Sequence, residues 1–386
     1  MKKLIRISTV PSSLDTFLKD QLRMLATHFE VVVVSSPGKT LDRLGRREGV
    51  RTVSIPMARH ISLLKDIVAL VRLVALFARE RPDIVHSMTP KAGLLAMLAA
   101  WATRVPVRIH TFTGLVFPTS TGGKQKLLIA MDRLTCRCAT YINPEGRGVE
   151  DDLRRFGITR KPLHIIANGN VRGIDPDYYA RTPEVEREAA EVRGKIGEEC
   201  FVFCYVGRLV GDKGINELVE AFTRLYDEAN DVRLLMLGGY EERLAPLKPQ
   251  TRHEIERHPG IIAVGRKPDV RPYLAASDVF VLPSYREGFP NVVMEAGAMG
   301  LPSIVTDING SNEIIIPHEN GLIVPPRDGD TLYRVMRSFV LHPQEARLMA
   351  LKARMLILSR YDRAQIWEAL LKEYNGLSGN EEARSG

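Results

Sequence analysis

Short runs of β-branched residues alternate with helical stretches from one end of the chain to the other, and this order constrains the fold more than any other feature. Val31-Val32-Val33-Val34 shows no polar alternation, which is expected of a strand buried on both faces. In the first half the strand candidates are 4–9, 30–35, 51–55, 83–87, 106–111, 139–143 and 162–167, with helix candidates at 14–28, 61–81, 91–103, 124–138 and 146–156. In the second half strands are expected near 201–207, 232–238, 260–264, 278–283 and 302–306. A βαβα order of this kind predicts parallel sheets with helices on both faces. At 386 residues the chain is natural for two such domains. The break between them is expected at 168–183, where Gly, Asn, Asp and Pro are dense and apolar periodicity stops. Doubly wound sheets bind ligands beyond the carboxyl ends of their strands, so the functional residues should follow strands and face the cleft between the domains.

Composition narrows the class. With 45% apolar and 26% charged residues, the chain resembles a soluble globular enzyme rather than a disordered or fibrous one. The longest apolar stretches, 67–78 and 92–103, run only about 12 residues and predict buried helices rather than membrane spans. The first residues are too charged and too short in apolar content for a signal peptide. Cys136, Cys138, Cys200 and Cys204 lack disulfide-framework or paired zinc spacing and are expected to be buried reduced thiols of a cytoplasmic protein. The last residues, 377–386, are expected to fray. Charge is uneven: residues 1–165 carry a net +14 and residues 166–386 a net −6. The front half therefore invites a polyanion. No RNP motif, zinc finger or Lys/Arg block supports nucleic acid; a phosphorylated substrate would suit the charge, and an anionic membrane surface or a lipid phosphate is the preferred reading.

Two common nucleotide fingerprints are missing. Lys213 is followed by Gly214 rather than by a hydroxyl residue, so there is no P-loop, and no G-x-G-x-x-G follows the first strand. The strand 201–207 instead runs into Gly207-Arg208-Leu209-Val210-Gly211-Asp212-Lys213-Gly214 and then a helix. Glycines let the backbone approach closely, and two cations can pair with separate phosphate oxygens. A turn with solvated charges would read the same way in isolation. After strand 278–283 comes Ser284-Tyr285-Arg286-Glu287-Gly288-Phe289-Pro290-Asn291-Val292-Val293-Met294-Glu295. Pro290 suits a helix's first turn, so backbone N–H groups of Asn291, Val292 and Val293 should be available to a phosphate. Glu295, one turn further in, could accept hydrogen bonds from two vicinal hydroxyls, and Glu287 could reach a sugar hydroxyl.

These residues carry a resemblance. Gly207-Arg208-Leu209 with Lys213-Gly214, then Glu287-x7-Glu295 inside DVFVLPSYREGFPNVVME and the following Ala296-Gly297-Ala298-Met299-Gly300-Leu301-Pro302, resembles the large retaining glycosyltransferase family 4. Asn168-Gly169 and the helical region 362–375 fit as well, and the amino-terminal half resembles bacterial capsule and O-antigen transferases. The resemblance implies the GT-B fold, two Rossmann-like doubly wound parallel-sheet domains. It implies residues 1–167 plus 362–386 as the acceptor domain with a returning terminal helix, and 168–361 as the donor domain. It further implies a nucleotide-sugar donor, most simply UDP-linked, with Arg208 and Lys213 on the diphosphate, Glu295 on the ribose and Glu287 on the donor sugar. Arg208, Lys213 and Glu287 would carry catalysis. Gly207, Gly288, Phe289, Asn291 and Val292 would line the same pocket, with Gly265-Arg266 beside the base.

Fixed cations and a helix N-terminus would then stabilise the departing diphosphate, with no cofactor and no divalent metal. Asp175-Pro176-Asp177 and Asp328-Gly329-Asp330 are D-x-D tripeptides, but both sit in turn-forming sequence and are expected to cap turns. On the acceptor side, the loop from Thr9 to Leu14 with Ser12 and Ser13, the strand end at His86, Thr113-Gly114, and Lys124 are the candidates. Many relatives have a histidine where this chain has Thr113, and His110 is not its positional equivalent; His86 and His110 read more readily as packing residues at strand ends than as catalysts. Lys124, Lys126, Arg133 and Arg137 are candidates for an anionic lipid or diphosphate. The expected acceptor is a polyprenyl-diphosphate-linked saccharide at the cytoplasmic face of the inner membrane. A GT-B epimerase or phosphorylase, or a non-catalytic nucleotide-sugar-binding protein, would share much of this pattern.

Overall fold

A computed structural model describes residues 1–58, 60, 62–241 and 245–379. The chain divides into two compact units, Met1–Gly173 with Arg363–Gly386, and Ile174–Asp362. Residues 168–173 pack with the first unit: Asn170 Oδ1 accepts from the Arg172 and Gly173 amides at 2.9 and 2.7 Å, and Gln21 Nε2 donates to the Val171 carbonyl at 3.0 Å. Of the stretch 377–386 expected to fray, residues 377–379 instead end the helix Arg363–Gly379, and 380–386 lie outside the described residues.

Unit 1 holds six parallel strands, β1 (Lys3–Ile7), β2 (Glu30–Ser35), β3 (Arg51–Ser54), β4 (Ile84–Met88), β5 (Val107–Phe112) and β6 (Tyr141–Pro144), in the order β3-β2-β1-β4-β5-β6. Unit 2 repeats the arrangement with β7 (Phe201–Val206), β8 (Val232–Leu237), β9 (Ile261–Gly265), β10 (Val279–Leu282), β11 (Ser303–Thr306) and β12 (Gly321–Val324), ordered β12-β11-β10-β7-β8-β9. In both units the order reverses between two strands that neighbour each other in space but not in sequence: β1 beside β4, and β7 beside β10. That reversal opens a crevice at the strands' carboxyl ends. Val31 to Val34 are buried as their pattern predicts.

Two expectations are corrected, and one strand was not expected. Residues 162–167 form no strand: Leu163 makes a single bridge to Ile142, and Pro162 supplies no N–H to extend it. The stretch 14–28 is two helices, Pro11–Phe17 and Gln21–Ala26, because Asp20 adopts φ +61° between them. β12 was not expected because its apolar run is only Leu322-Ile323-Val324, hemmed in by Gly321 and Pro325-Pro326; Gly321 passes so close to Ser303 that a Cβ would lie 2.1 Å from that carbonyl oxygen.

The helix Arg363–Gly379 returns to unit 1 and, with the helices Pro11–Phe17, Gln21–Ala26 and Lys39–Glu48, covers one face of its sheet. Tyr374 is fully buried there; its hydroxyl accepts from Arg6 Nη1 and lies 2.6 Å from His86 Nδ1. Glu373 accepts from Asn143 Nδ2 at 2.8 Å. The opposite face is covered by the helices Leu63–Glu80, Pro90–Ala102 and Gly122–Cys138, packed side by side. All four cysteines are free thiols; Cys136, Cys138 and Cys204 are buried and Cys200 is half-buried.

Candidate functional site

The crevice in unit 2 is built by the loops that follow β7 and β10. The β7 strand ends at Val206, and Gly207 turns the chain where a Cβ would meet the Tyr205 hydroxyl at 2.5 Å. Tyr205 lies fully buried beneath the turn and donates to the Arg208 carbonyl at 2.8 Å. Burial, with the Glu287 carboxylate nearby, pushes its hydroxyl well above the usual tyrosine range, so it stays a neutral prop. A single 3-10 turn, Gly211–Lys213, then leads into the helix Ile215–Glu228 through Gly214 at φ +70°.

Gly214 is where the two loops meet. A Cβ there would sit 1.9 Å from the Pro283 carbonyl oxygen, so only glycine permits the approach. The Tyr285 amide donates to the Asp212 carbonyl at 3.0 Å, and the Tyr285 hydroxyl donates to Glu217 Oε1 at 2.6 Å. Arg286 pairs with Asp212 at 3.5 Å. Across this seam Lys213 Nζ and Glu287 Oε1 form a direct ion pair, with both side chains more than four-fifths buried. Two of the sequence candidates, 74 residues apart, are thus in contact. Gly310, at φ +76°, lies against Gly288 and Phe289 and holds the second loop from its far side.

Arg208 sits on the other side of the turn, paired with Glu241 at 2.5 Å and about two-fifths exposed. Glu241 was not among the sequence candidates. Nor was Gly238-Gly239 after β8, where a Cβ on Gly238 would lie 1.7 Å from the Gly207 carbonyl oxygen and one on Gly239 would lie 2.9 Å from Arg266 Nε. A glycine pair directly after the apolar run of β8 was the available signal; nothing local marks Glu241 as a partner for Arg208. Gly265, at φ +70°, and Arg266 are exposed at the end of β9, and the Gly238 amide donates to the Gly265 carbonyl at 2.9 Å.

The helix Asn291–Ala298 starts one residue later than expected, with Pro290 as its N-cap residue. The Val293 amide is already used, donating to the Pro290 carbonyl at 3.1 Å, so the expectation of three open N–H groups is corrected. Asn291 and Val292 are half-buried at the helix mouth, Glu295 is 8% exposed one turn in, and the Phe289 side chain is buried against Tyr361. Only the Phe289 backbone can therefore line a pocket. The helix N-terminus concentrates partial positive charge beside the Lys213–Glu287 pair, and together with Arg208 this arrangement can receive a phosphate.

In unit 1 the loops after β1 and β4 meet in the same manner: Thr9 and Thr89 share a hydroxyl contact of 3.0 Å, and the Ala92 amide donates to Thr9 Oγ1. Ser12 is exposed and Ser13 half-buried in the first turn of Pro11–Phe17, Thr113 and Gly114 are half-buried after β5, and Lys124 is exposed in the first turn of its helix. His86 is a correction. It is 2% exposed, with Nδ1 against the Tyr374 hydroxyl at 2.6 Å and Nε2 against Thr111 Oγ1 at 2.7 Å, so it is a core residue that presents nothing to an acceptor. Burial, with Arg6 and His110 nearby, holds its pKa well below the usual histidine value. His110 is likewise buried, bonded to Ser87 at 2.8 Å. Arg133 donates to the carbonyls of Phe156 and Gly157 and so serves the fold. Asp175 accepts from the Asp177 and Tyr178 amides, and Asp328 from the Thr331 amide and hydroxyl, so both D-x-D tripeptides cap turns or helices.

Comparison with known proteins bears on this site. Residues 200–341 match the family described as glycosyl transferases group 1, and residues 16–169 match the glycosyl transferase 4-like domain. The capsular polysaccharide biosynthesis glycosyltransferase CapM of Staphylococcus aureus is 29% identical over 97% of this chain and 97% of its own length. An Escherichia coli enzyme, UDP-Gal:alpha-D-GlcNAc-diphosphoundecaprenol alpha-1,3-galactosyltransferase, is 30% identical over 75% of this chain and 74% of its own. Among solved structures, Anabaena HepE in complex with UDP superposes with a TM-score of 0.81 at 17% identity, covering 97% of this chain and 100% of that one. By family match, by identity and by fold, the chain belongs to the group 1 glycosyltransferases and is a glycosyltransferase of the GT-B fold.

Proposed function

We propose that the chain transfers a sugar, with retention of anomeric configuration and without a divalent metal, from a UDP-sugar to a polyprenyl-diphosphate-linked saccharide in cell-surface polysaccharide assembly. The observation that carries this reading is the joining of the β7 and β10 loops. It brings Lys213 onto Glu287 next to a helix N-terminus, with Arg208 on the same glycine-rich turn. Three relatives support the substrate classes. The E. coli relative is named for UDP-Gal and a diphosphoundecaprenol acceptor, and a Campylobacter jejuni relative, 27% identical over 77% of this chain, for a diphospho-undecaprenol acceptor. CapM is named for capsular polysaccharide.

In the reaction the bond between the anomeric carbon and the β-phosphate oxygen breaks, and its electron pair leaves with the phosphate. A bond forms from the acceptor hydroxyl oxygen to the same carbon, and the hydroxyl proton passes to the freed phosphate oxygen. Negative charge grows on the diphosphate as the bond breaks, which is where Arg208, Lys213 and the start of Asn291–Ala298 are placed to act. Glu287, held by Lys213, is positioned for a sugar hydroxyl and Glu295 for the ribose. We place the enzyme at the cytoplasmic face of the inner membrane, as a peripheral protein. Among the described residues no helix is long and apolar enough to cross a membrane.

A panel of UDP- and GDP-sugars screened by thermal shift tests the donor. A donor at 100 times its Kd stabilises by about 2.7 kcal/mol, and Lys213→Ala should abolish the shift. Turnover should survive EDTA; activity lost to EDTA and restored by Mn²⁺ would overturn the metal-free assignment.

A further inference from the structure

The helix Leu63–Glu80 buries one stripe, Ala69, Leu73, Leu76 and Phe77, against the core of unit 1. That stripe satisfies what the sheet asks of a covering helix. The first half of the same helix nonetheless carries a second apolar stripe on the opposite side: Leu63, Leu64, Ile67, Val68 and Val71 are each at least half exposed, Leu64 as much as 80%. Five large apolar side chains at helical spacing facing water form a patch of the kind that marks an interaction surface.

The patch continues into a groove of about 630 Å³, where Leu64 and Val68 meet Pro37, Pro56 and Met57. Lys65 and Arg72 line the same groove. The one carboxylate in this part of the helix, Asp66, is turned away and neutralised: both its oxygens accept from Lys91 Nζ, at 2.8 and 2.9 Å. Glu80, at the far end, is held by Lys3 and Arg51. The face therefore offers greasy side chains rimmed by cations, with its acids internally paired. Topology sets its location. The helix follows β3 and leads into β4, so its first turns lie at the carboxyl edge of the sheet, the edge where doubly wound sheets bind ligands. Gly122–Cys138, on the same sheet face, starts at the same edge with exposed Lys124, Lys126 and Leu127.

We propose that this face docks on a bilayer: the first three turns of Leu63–Glu80 enter the interfacial layer, and Lys65 and Arg72 pair with anionic headgroups. Apolar burial and charge attraction act together in such binding, and neither alone holds a protein firmly. The net +14 of residues 1–165 has the matching sign. The proposal deepens the reading of a membrane-bound acceptor by naming the surface, and it stands on the exposure pattern whether or not the acceptor is lipid-linked.

The test is co-sedimentation of the full chain with vesicles of phosphatidylcholine, with and without about one-third phosphatidylglycerol. The chain should bind the anionic vesicles and release at high salt. Leu64→Glu with Ile67→Glu, and separately Lys65→Glu with Arg72→Glu, should each weaken binding by about tenfold or more. The thermal shift with UDP should be unchanged in every variant, which shows that each one folds. Variants that sediment like the parent, or a parent that ignores anionic vesicles, would overturn the proposal. So would a parent dimer that Leu64→Glu with Ile67→Glu turns monomeric without any vesicle binding, since a second copy would then cover the face. A parent with no UDP shift whose vesicle binding still fails in the variants would remove the donor assignment and leave the docking surface standing.

Discussion

Gly214→Ala tests the seam on which the donor site depends. Two costs arise at that position. An alanine at φ +70° loses about 1–2 kcal/mol relative to glycine. Its Cβ would also start 1.9 Å from the Pro283 carbonyl oxygen, so the β7 and β10 loops must part by at least about 1 Å. Overpacking of that kind costs roughly 1–3 kcal/mol. The sum, about 2–5 kcal/mol, corresponds to a fall in Tm of roughly 5–15 °C for a unit of this size. A misplacement near 1 Å can also cost on the order of 10²-fold in turnover. Gly300→Ala is the internal control: Gly300, in the same unit and outside the donor site, has φ +82°, and a Cβ there meets nothing nearer than 4.0 Å. It should lose only the backbone contribution. The assay is thermal melting of both variants, with and without UDP, followed by kcat/KM with the donor that the screen identifies. If the two variants melt alike and bind UDP alike, the loops do not touch at Gly214 and the site as described is wrong.

Lys213→Ala removes the cation beside the leaving phosphate and strands the mostly buried Glu287; kcat should fall on the order of 10²–10³-fold, read by UDP release. Tyr374→Phe leaves Arg6 and His86 short of a partner in the core of unit 1 and should destabilise that unit by about 2–4 kcal/mol, measured by denaturant unfolding followed by a probe in unit 1. Burial lowers the pKa of His110 to about 3, and that of His86 also lies well below the unfolded value near 6.5. The unfolded chain therefore binds more protons below about pH 6.5, so unit 1 should lose stability as pH falls from there toward 3. His110→Asn should flatten that slope; an unchanged slope would show that the histidine is not buried neutral.

The chemistry of the donor loops was legible because it lies in two contiguous segments. Gly207 to Gly214 and Glu287 to Glu295 each follow an apolar run, and each presents its charges within a few residues of a strand end. Their supports were not legible. Tyr205 beneath the turn, Glu241 on Arg208 and Gly238 against Gly207 act through space from other strands. His86, at a strand end, suits both packing and the cleft, and only the returning helix, 288 residues away at Tyr374, makes that position core.

Periodicity and punctuation in the chain were enough to determine two parallel α/β sheets and the residue types at their strand ends, because both depend on local burial and on short-range turn chemistry. Strand order depends on which apolar faces find each other across long separations, and no local pattern encodes it. Only the tertiary structure decided that β10 lies beside β7, and hence that Lys213 meets Glu287. It also decided that one side of Leu63–Glu80 is left facing water, since the sheet can cover only one side of a helix.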